Sequence, residues 1–145
     1  MYAYNDGGRA AAGFRGSADD CVTRAIAIAL QMDYATVYRE MAEINASMRA
    51  TKKTRGAGRR TARDGIYTKR KPFKDYMSAR GWRFIPTMGI GTGCKVHLRS
   101  EELPKGRIIA NVSKHLVAVI DGIIHDTHDC TRNGTRCVYG YWVQE

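Results

Sequence analysis

The chain has 145 residues, of which 43% are hydrophobic, with 24 lysines and arginines against 14 acidic residues and a formal net charge of +10. This length is enough for one domain with a single core, and the composition differs from that of a disordered protein. No apolar run approaches the roughly 20 residues that span a bilayer, and no secretion signal is recognisable at the N-terminus. We therefore expect a cytoplasmic protein without membrane contact, with its four cysteines reduced.

The first predicted helix begins at a cysteine. Residues 1–18 are rich in glycine and alanine and lack periodicity, which predicts an irregular arm. Residues 21–30 are apolar on nearly every face, which is typical of a buried helix, and Asp19 or Asp20 can cap its start. Cys21 therefore stands at a helix N-terminus, where the positive end of the helix dipole favours a thiolate and makes the sulfur a better nucleophile.

The remaining elements divide the chain into helices followed by strands. An amphipathic helix that Asp33 can cap is predicted at 34–46, and a third helix at about 71–81. Strands are predicted at 82–86, 108–112, 115–120, 123–127 and 138–143. Helices first and an antiparallel sheet second make an α+β arrangement, and residues 1–145 are expected to form one domain.

A tight hairpin connects two of the predicted strands. The Asp-Gly pair at 121–122 between two apolar runs predicts a two-residue turn, because both central residues must adopt positive φ. In that register His115 lies opposite His128, and Asp126 is on the same face as a diagonal neighbour of His115. Diagonal neighbours are roughly 7–8 Å apart at the backbone, so we expect a hydrogen bond between the side chains of His115 and Asp126.

The cysteine and the hairpin together resemble a known superfamily. A cysteine that opens a buried helix, then much later a strand beginning His-Leu-Val-Ala-Val, a tight turn and an acid on the return strand, resembles the papain-like thiol hydrolases. Their bacteriocin-leader and NlpC-type members are similarly compact, and Asp-Cys-Val-Thr-Arg-Ala-Ile-Ala also resembles small phage-borne proteins of this type. The resemblance covers residues 16–30 and 107–129, and it implies a nucleophile helix packed on a C-terminal antiparallel sheet.

The resemblance also implies roles for individual residues. Cys21 matches the nucleophile, His115 the general base and acid, and Asp126 the residue that orients the histidine. Where papain-like enzymes place an oxyanion-binding glutamine this chain has Arg15, and Arg15 or Ser17 is the expected donor. His128 is expected to support the site or contact substrate.

The function that follows is hydrolysis by a thiol. We expect cleavage of a peptide, isopeptide or other amide bond in a protein or peptide substrate through a Cys-His-Asp triad, without a metal or cofactor. A phage-encoded enzyme that acts on a host factor fits this pattern.

A basic segment supports a different hypothesis. Residues 47–70 are polar and glycine-rich, which predicts a flexible loop. Its candidate anion-binding residues are Arg49, Lys52, Lys53, Arg55, Arg59, Arg60 and Arg63. The alternative function is a non-enzymatic binding or inhibitor module that uses residues 49–74 to bind nucleic acid or an acidic protein. A solvated surface without a partner is also compatible with this composition.

Zinc binding near the C-terminus is a further alternative. His125, His128, Cys130 and Cys137 are four zinc-compatible ligands at close spacing. The hairpin register opposes this set, because His125 and His128 point to opposite faces of the sheet.

Overall fold

The computed structural model describes residues 2–14, 20–47, 71–89 and 91–145, and within these ranges the chain has an α+β architecture. Its helices are α1 (Cys21–Ala29), α2 (Tyr34–Ser47) and α3 (Lys71–Ala79). Its strands are β1 (Tyr2–Tyr4), β2 (Trp82–Pro86), β3 (Arg107–Val112), β4 (His115–Ile120), β5 (Ile123–Asp126) and β6 (Val138–Gln144). The predicted helices and strands are confirmed.

The strands form one mixed sheet in the order β1-β5-β4-β3-β6-β2. β1 pairs with β5 in parallel, so the expectation of an antiparallel sheet is wrong for this pair, whereas the other neighbours are antiparallel. The prediction of an irregular arm at 1–18 is wrong for Tyr2–Tyr4. A three-residue strand is too short to show an alternating pattern, and its partner β5 lies near the other end of the chain.

The predicted hairpin between β4 and β5 is confirmed. Asp121 and Gly122 both have positive φ, at 49° and 81°, and Ile120 pairs with Ile123. The Asp121 side chain also accepts a hydrogen bond of 2.8 Å from the backbone N–H of Gly106. The turn therefore sets the register that governs which face of the sheet each following residue occupies.

The sheet has a hydrophobic layer on each face. One layer includes α1 and, from the sheet, Ile109, Leu116, Ala118 and Trp142. The other contains Ile108, Ala110, Val112, Val117, Val119 and Ile124, together with Leu98, Leu103 and Cys130 from outside the strands. By strand alternation, His115 belongs to the second face, with Val117. It stands at the end of the sheet where β4 begins and β5 ends.

The helix α1 is buried along nearly its whole length, as its apolar sequence predicts. Of the two predicted caps, Asp19 lies outside the described residues. Asp20 occupies the cap position, but its side chain makes no capping hydrogen bond, because Tyr34 and Arg24 bind the carboxylate instead. The predicted cap of α2 is present, since the Asp33 carboxylate accepts a hydrogen bond of 3.2 Å from the backbone N–H of Thr36.

The cysteines are in two chemical states. Cys94 and Cys137 form a disulfide, so the expectation of four reduced thiols is wrong for this pair, whereas Cys21 and Cys130 are free. The two cysteines meet because their segments run side by side. Cys137 forms an isolated antiparallel β-bridge with His97, three residues after Cys94. Among the described residues, no helix has both the length and the apolar character needed to cross a membrane.

Candidate active site

The predicted contact between His115 and Asp126 is present. Nε2 of His115 donates a hydrogen bond of 2.6 Å to Oδ2 of Asp126, and the two side chains are only 11% and 3% exposed. The contact follows from the two-residue turn, which brings the start of β4 beside the end of β5. The backbone N–H of Thr127 donates a second hydrogen bond, at 2.7 Å, to Oδ1 of the same carboxylate.

This pair has strongly shifted pKa values. Burial alone lowers the pKa of His115, but the hydrogen bond with Asp126 and those with the Cys130 and Cys21 side chains outweigh it, and the pKa rises to about 11. Burial raises the pKa of Asp126, but the hydrogen bond and charge of His115 outweigh it, with help from Thr127 and Arg24, and the pKa falls to about 2. At neutral pH the pair is therefore an imidazolium and a carboxylate.

Cys21 is the first residue of α1, and its free thiol is partly exposed. Arg24 lies one turn further along on the same face of the helix and binds Oδ1 of Asp126 at 3.3 Å. This contact brings the start of α1 close to the Asp126–His115 pair at the end of the sheet. The Cys21 side chain contributes to the raised pKa of His115, after Asp126 and Cys130.

A buried charge network extends from the site into the N-terminal region. Arg24 bridges Asp126 and Asp20, and Asp20 is also bound by the Tyr34 hydroxyl at 2.6 Å and by Nε of Arg9 at 3.2 Å. Sequence reasoning missed this network, although a signal was available. Arg24 is the only charged residue of α1, and a charge in a buried helix requires a partner such as Asp20, four residues earlier.

Cys130 is a second thiol in the site, and sequence reasoning did not assign it there. It is 3% exposed, and its Sγ, one ring nitrogen of His115 and one carboxylate oxygen of Asp126 all lie within 4.8 Å of one another. No local pattern predicts this position, because the path of the chain after β5 determines it.

The zinc set proposed from spacing is wrong. Cys137 is in the disulfide with Cys94 and is not available as a thiolate. Instead, Nδ1 of His125 accepts a hydrogen bond of 3.3 Å from Nδ2 of Asn5. The reason is the alternation along β5, which separates His125 from the face that carries Asp126.

His128 lies beside the site, on its exposed side. Its ring centroid is 5.5 Å from that of His115, although β5 ends at Asp126 and the two histidines are not paired in the sheet. Its expected part in supporting the site or contacting substrate stays a prediction.

No family model, curated protein or solved structure matches the chain. The function must therefore be inferred from the chemistry of the site. A free thiol at a helix start, an imidazolium beside it and a buried carboxylate that holds the imidazolium are the groups that thiol catalysis requires.

Several predicted functional residues lie outside the described residues. These are Arg15 and Ser17, the expected oxyanion donors, and the basic residues Arg49, Lys52, Lys53, Arg55, Arg59, Arg60 and Arg63. Their expected functions stay predictions from the sequence.

Proposed function

We propose that this chain is a papain-like cysteine hydrolase that cleaves a peptide, isopeptide or other amide bond. Cys21 is the nucleophile, His115 the general base and acid, and Asp126 the residue that orients His115. The observation that carries the proposal is the 2.6 Å hydrogen bond between His115 and Asp126, at the end of the sheet that Arg24 connects to the helix beginning at Cys21. Groups from three separate elements meet there in the combination that activates a thiol.

The choice of nucleophile rests on access. Two free thiols, Cys21 and Cys130, contribute to the raised pKa of His115. A nucleophile must also be able to reach the carbonyl group of a substrate. Cys21 is partly exposed, whereas Cys130 is buried. Cys21 also begins α1, where unpaired backbone N–H groups and the helix dipole stabilise negative charge on the sulfur.

Acylation follows from the way His115 is held. Because Asp126 engages Nε2, the other ring nitrogen, Nδ1, exchanges the proton with the Cys21 thiol. The thiolate attacks the carbonyl carbon, and a C–S bond forms as the carbonyl π bond opens. The C–N bond then breaks, the leaving amine takes the proton from His115, and a thioester remains on Cys21.

Hydrolysis of the thioester uses the same residues in reverse. His115 takes a proton from water, the resulting hydroxide attacks the thioester carbonyl, and the C–S bond breaks. The product is a carboxylic acid, and the proton on His115 returns to the Cys21 sulfur. A backbone N–H at the start of α1 is suited to stabilise the oxyanion in both steps, together with Arg15 or Ser17.

Selective alkylation tests the proposal without a known substrate. The protein is treated with limiting iodoacetamide at neutral pH, and the label on each cysteine is quantified by peptide mapping. We expect Cys21 to react first, and His115→Ala to slow its alkylation, because the imidazolium that favours the thiolate is lost. Cys130 is the internal control, since it is a free thiol in the same site but buried. Labelling of Cys21 no faster than Cys130, or unchanged labelling in His115→Ala, contradicts the proposal.

A further inference from the structure

A cleft that the proposed hydrolysis does not use lies at the opposite end of the sheet from the candidate active site. Its volume is about 190 Å³, and its lining residues are Leu30, Met32, Arg80, Trp82, Arg107 and Gln144. Arg107 begins β3 and pairs with Ile120 at the end of β4, whereas His115 begins β4. The length of β4 therefore separates the cleft from the site.

The lining of the cleft combines apolar and polar side chains on one face of the sheet. Trp82 and Gln144 are paired partners in β2 and β6. Arg107 stands two residues before Ile109, which packs in the same hydrophobic layer as α1 and Trp82, so strand alternation places Arg107 on that face. The two lining residues that follow α1 are apolar as well. A ligand of this cleft would therefore contact an apolar wall and a guanidinium together.

Arg107 lacks a partner for its charge. It is partly buried, and among the described residues its guanidinium has neither an ion pair nor a hydrogen bond. Asp121, the acid that follows β4, instead accepts a hydrogen bond of 2.8 Å from the backbone N–H of Gly106. A guanidinium carries five N–H donors in a planar fork that matches a carboxylate or a phosphate. Arg107 is therefore suited to bind an anion.

Arg80, the other cation of the cleft, is held by contacts of its own. Its guanidinium binds Glu40 at 2.9 Å, donates a hydrogen bond of 3.1 Å to the backbone carbonyl of Tyr76 and lies 3.5 Å from the centroid of the Tyr76 ring. Glu40 offsets the charge of Arg80, so the positive charge of Arg107 remains for a ligand. One charge matches a carboxylate better than a phosphate monoester, which carries nearly two negative charges at neutral pH.

We propose that this cleft binds a small carboxylic acid whose apolar part is about the size of one aromatic ring. The carboxylate accepts hydrogen bonds from Arg107 and Gln144, and the ring packs against Trp82. A cavity of about 150 Å³ can hold one benzene molecule, so the cleft is large enough for such a ligand.

Titration of the full chain with benzoate, followed by ¹H–¹⁵N NMR spectra, tests the proposal. We expect saturable shifts of the Trp82 indole N–H and of the backbone N–H of Arg107, while the resonances around His115 stay unchanged. Benzamide has the same ring without the charge, and it should bind about tenfold more weakly or worse. Inorganic phosphate should also bind more weakly than benzoate. No saturable shift, equal affinity for benzamide, or tighter binding of phosphate overturns the proposal.

Substitution of Arg107 tests which cation binds the acid. Arg107→Gln should weaken benzoate binding by about tenfold or more, because the charge-assisted hydrogen bonds are lost. The fold should be retained, since no side-chain partner of Arg107 is left behind, and Tm checks this. Arg83→Gln is the matched control: Arg83 does not line the cleft, and it pairs with Glu145 at 3.6 Å on the surface. Undiminished affinity in Arg107→Gln, or equal weakening in Arg83→Gln, overturns the proposal.

The cleft and hydrolase proposals fail in different ways, because the cleft does not depend on the hydrolase. Cys21→Ala should bind benzoate as the unmodified chain does, and Arg107→Gln should retain fast alkylation of Cys21. Slow alkylation of Cys21 with intact benzoate binding contradicts the hydrolase alone. Fast alkylation without benzoate binding contradicts the cleft alone.

Discussion

Arg24 of α1 binds the carboxylate of Asp126 at the end of β5, across 3.3 Å, and so links the helix that begins at Cys21 to the hairpin that carries His115. The same guanidinium binds Asp20 just before the helix. One side chain therefore holds together two parts of the site that are far apart in the chain. Both carboxylates are nearly inaccessible to solvent, so loss of the guanidinium would leave buried charge without this partner.

Arg24→Gln should destabilise the fold by about 3–5 kcal/mol, because it leaves two buried carboxylates without their shared cation. Urea unfolding followed by circular dichroism measures the free energy of unfolding. Arg83→Gln is the control: its pair with Glu145, at 3.6 Å, is mostly exposed, and its loss should cost less than about 1 kcal/mol. Equal losses in the two variants contradict a structural role for the Arg24 bridge.

Asp126→Asn should slow alkylation of Cys21 by at least about tenfold, since the corresponding change in a serine triad lowers turnover by about 10⁴. The asparagine amide has the size of the aspartate side chain but no charge. Unlike a carboxylate, it can also donate a hydrogen bond, so it no longer selects the form of His115 that donates from Nε2. Asp129→Asn is the matched control, because that acid is exposed and hydrogen-bonded to Thr131 instead of His115. Iodoacetamide rate constants for Cys21 in the two variants decide between an orienting role and a general effect of lost charge.

The stability contributed by the His115–Asp126 pair should depend on pH in both directions. The pKa of His115 is raised from 6.5 to about 11, so its contribution is complete below pH 6.5 and is lost as pH rises toward 11. The pKa of Asp126 is lowered from 3.8 to about 2, so its contribution is complete above pH 3.8 and is lost as pH falls toward 2. The difference in unfolding free energy between the unmodified chain and Asp126→Asn should therefore be largest between about pH 4 and 6.5. A difference that does not change from pH 4 to 10 contradicts this assignment.

Gly122→Ala should be more destabilising than Gly106→Ala. Both glycines have positive φ, at 81° and 87°, so both substitutions introduce backbone strain of about 1 kcal/mol or more. Only at Gly122 would the new Cβ also lie 2.9 Å from Cβ of Ser100, whereas Gly106 has open space. Thermal unfolding of the two variants separates the steric contribution from the strain, and equal shifts in Tm would mean that Ser100 moves aside.

The basic segment makes a separate prediction about partners. If residues 49–74 bind nucleic acid, affinity for a DNA or RNA oligonucleotide should fall steeply with salt, and changing Arg55, Arg59, Arg60 and Arg63 to Gln should flatten that dependence. Cys21→Ala should leave the binding intact. Fluorescence anisotropy at several salt concentrations measures both, and binding that is insensitive to salt or to the four substitutions contradicts the hypothesis.

The hairpin could be predicted from the sequence because its determinants are local. Positive φ at Asp121 and Gly122 and the two-residue period of a strand together specify the relation between His115 and Asp126. The burial of α1 was equally accessible, because its residues are apolar on all sides. The papain-like fold itself stays a proposal.

The contacts that were not predicted depend on how distant segments come together. The position of Cys130 depends on the chain path after β5, the Cys94–Cys137 disulfide on two loops that lie side by side, and β1 on a partner strand near the C-terminus. The contacts of Arg24 could be predicted only in part. Its isolation in an apolar helix indicates that it needs partners, but only the assembled sheet identifies Asp126 as one of them.

The two-residue length of the β4–β5 turn has a consequence for how this protein can vary. Adding or deleting one residue there would move Asp126 to the opposite face of the sheet and separate it from His115. Adding two residues would restore the face. Homologous sequences that keep this hydrogen bond should therefore differ in turn length by even numbers, unless a β-bulge compensates.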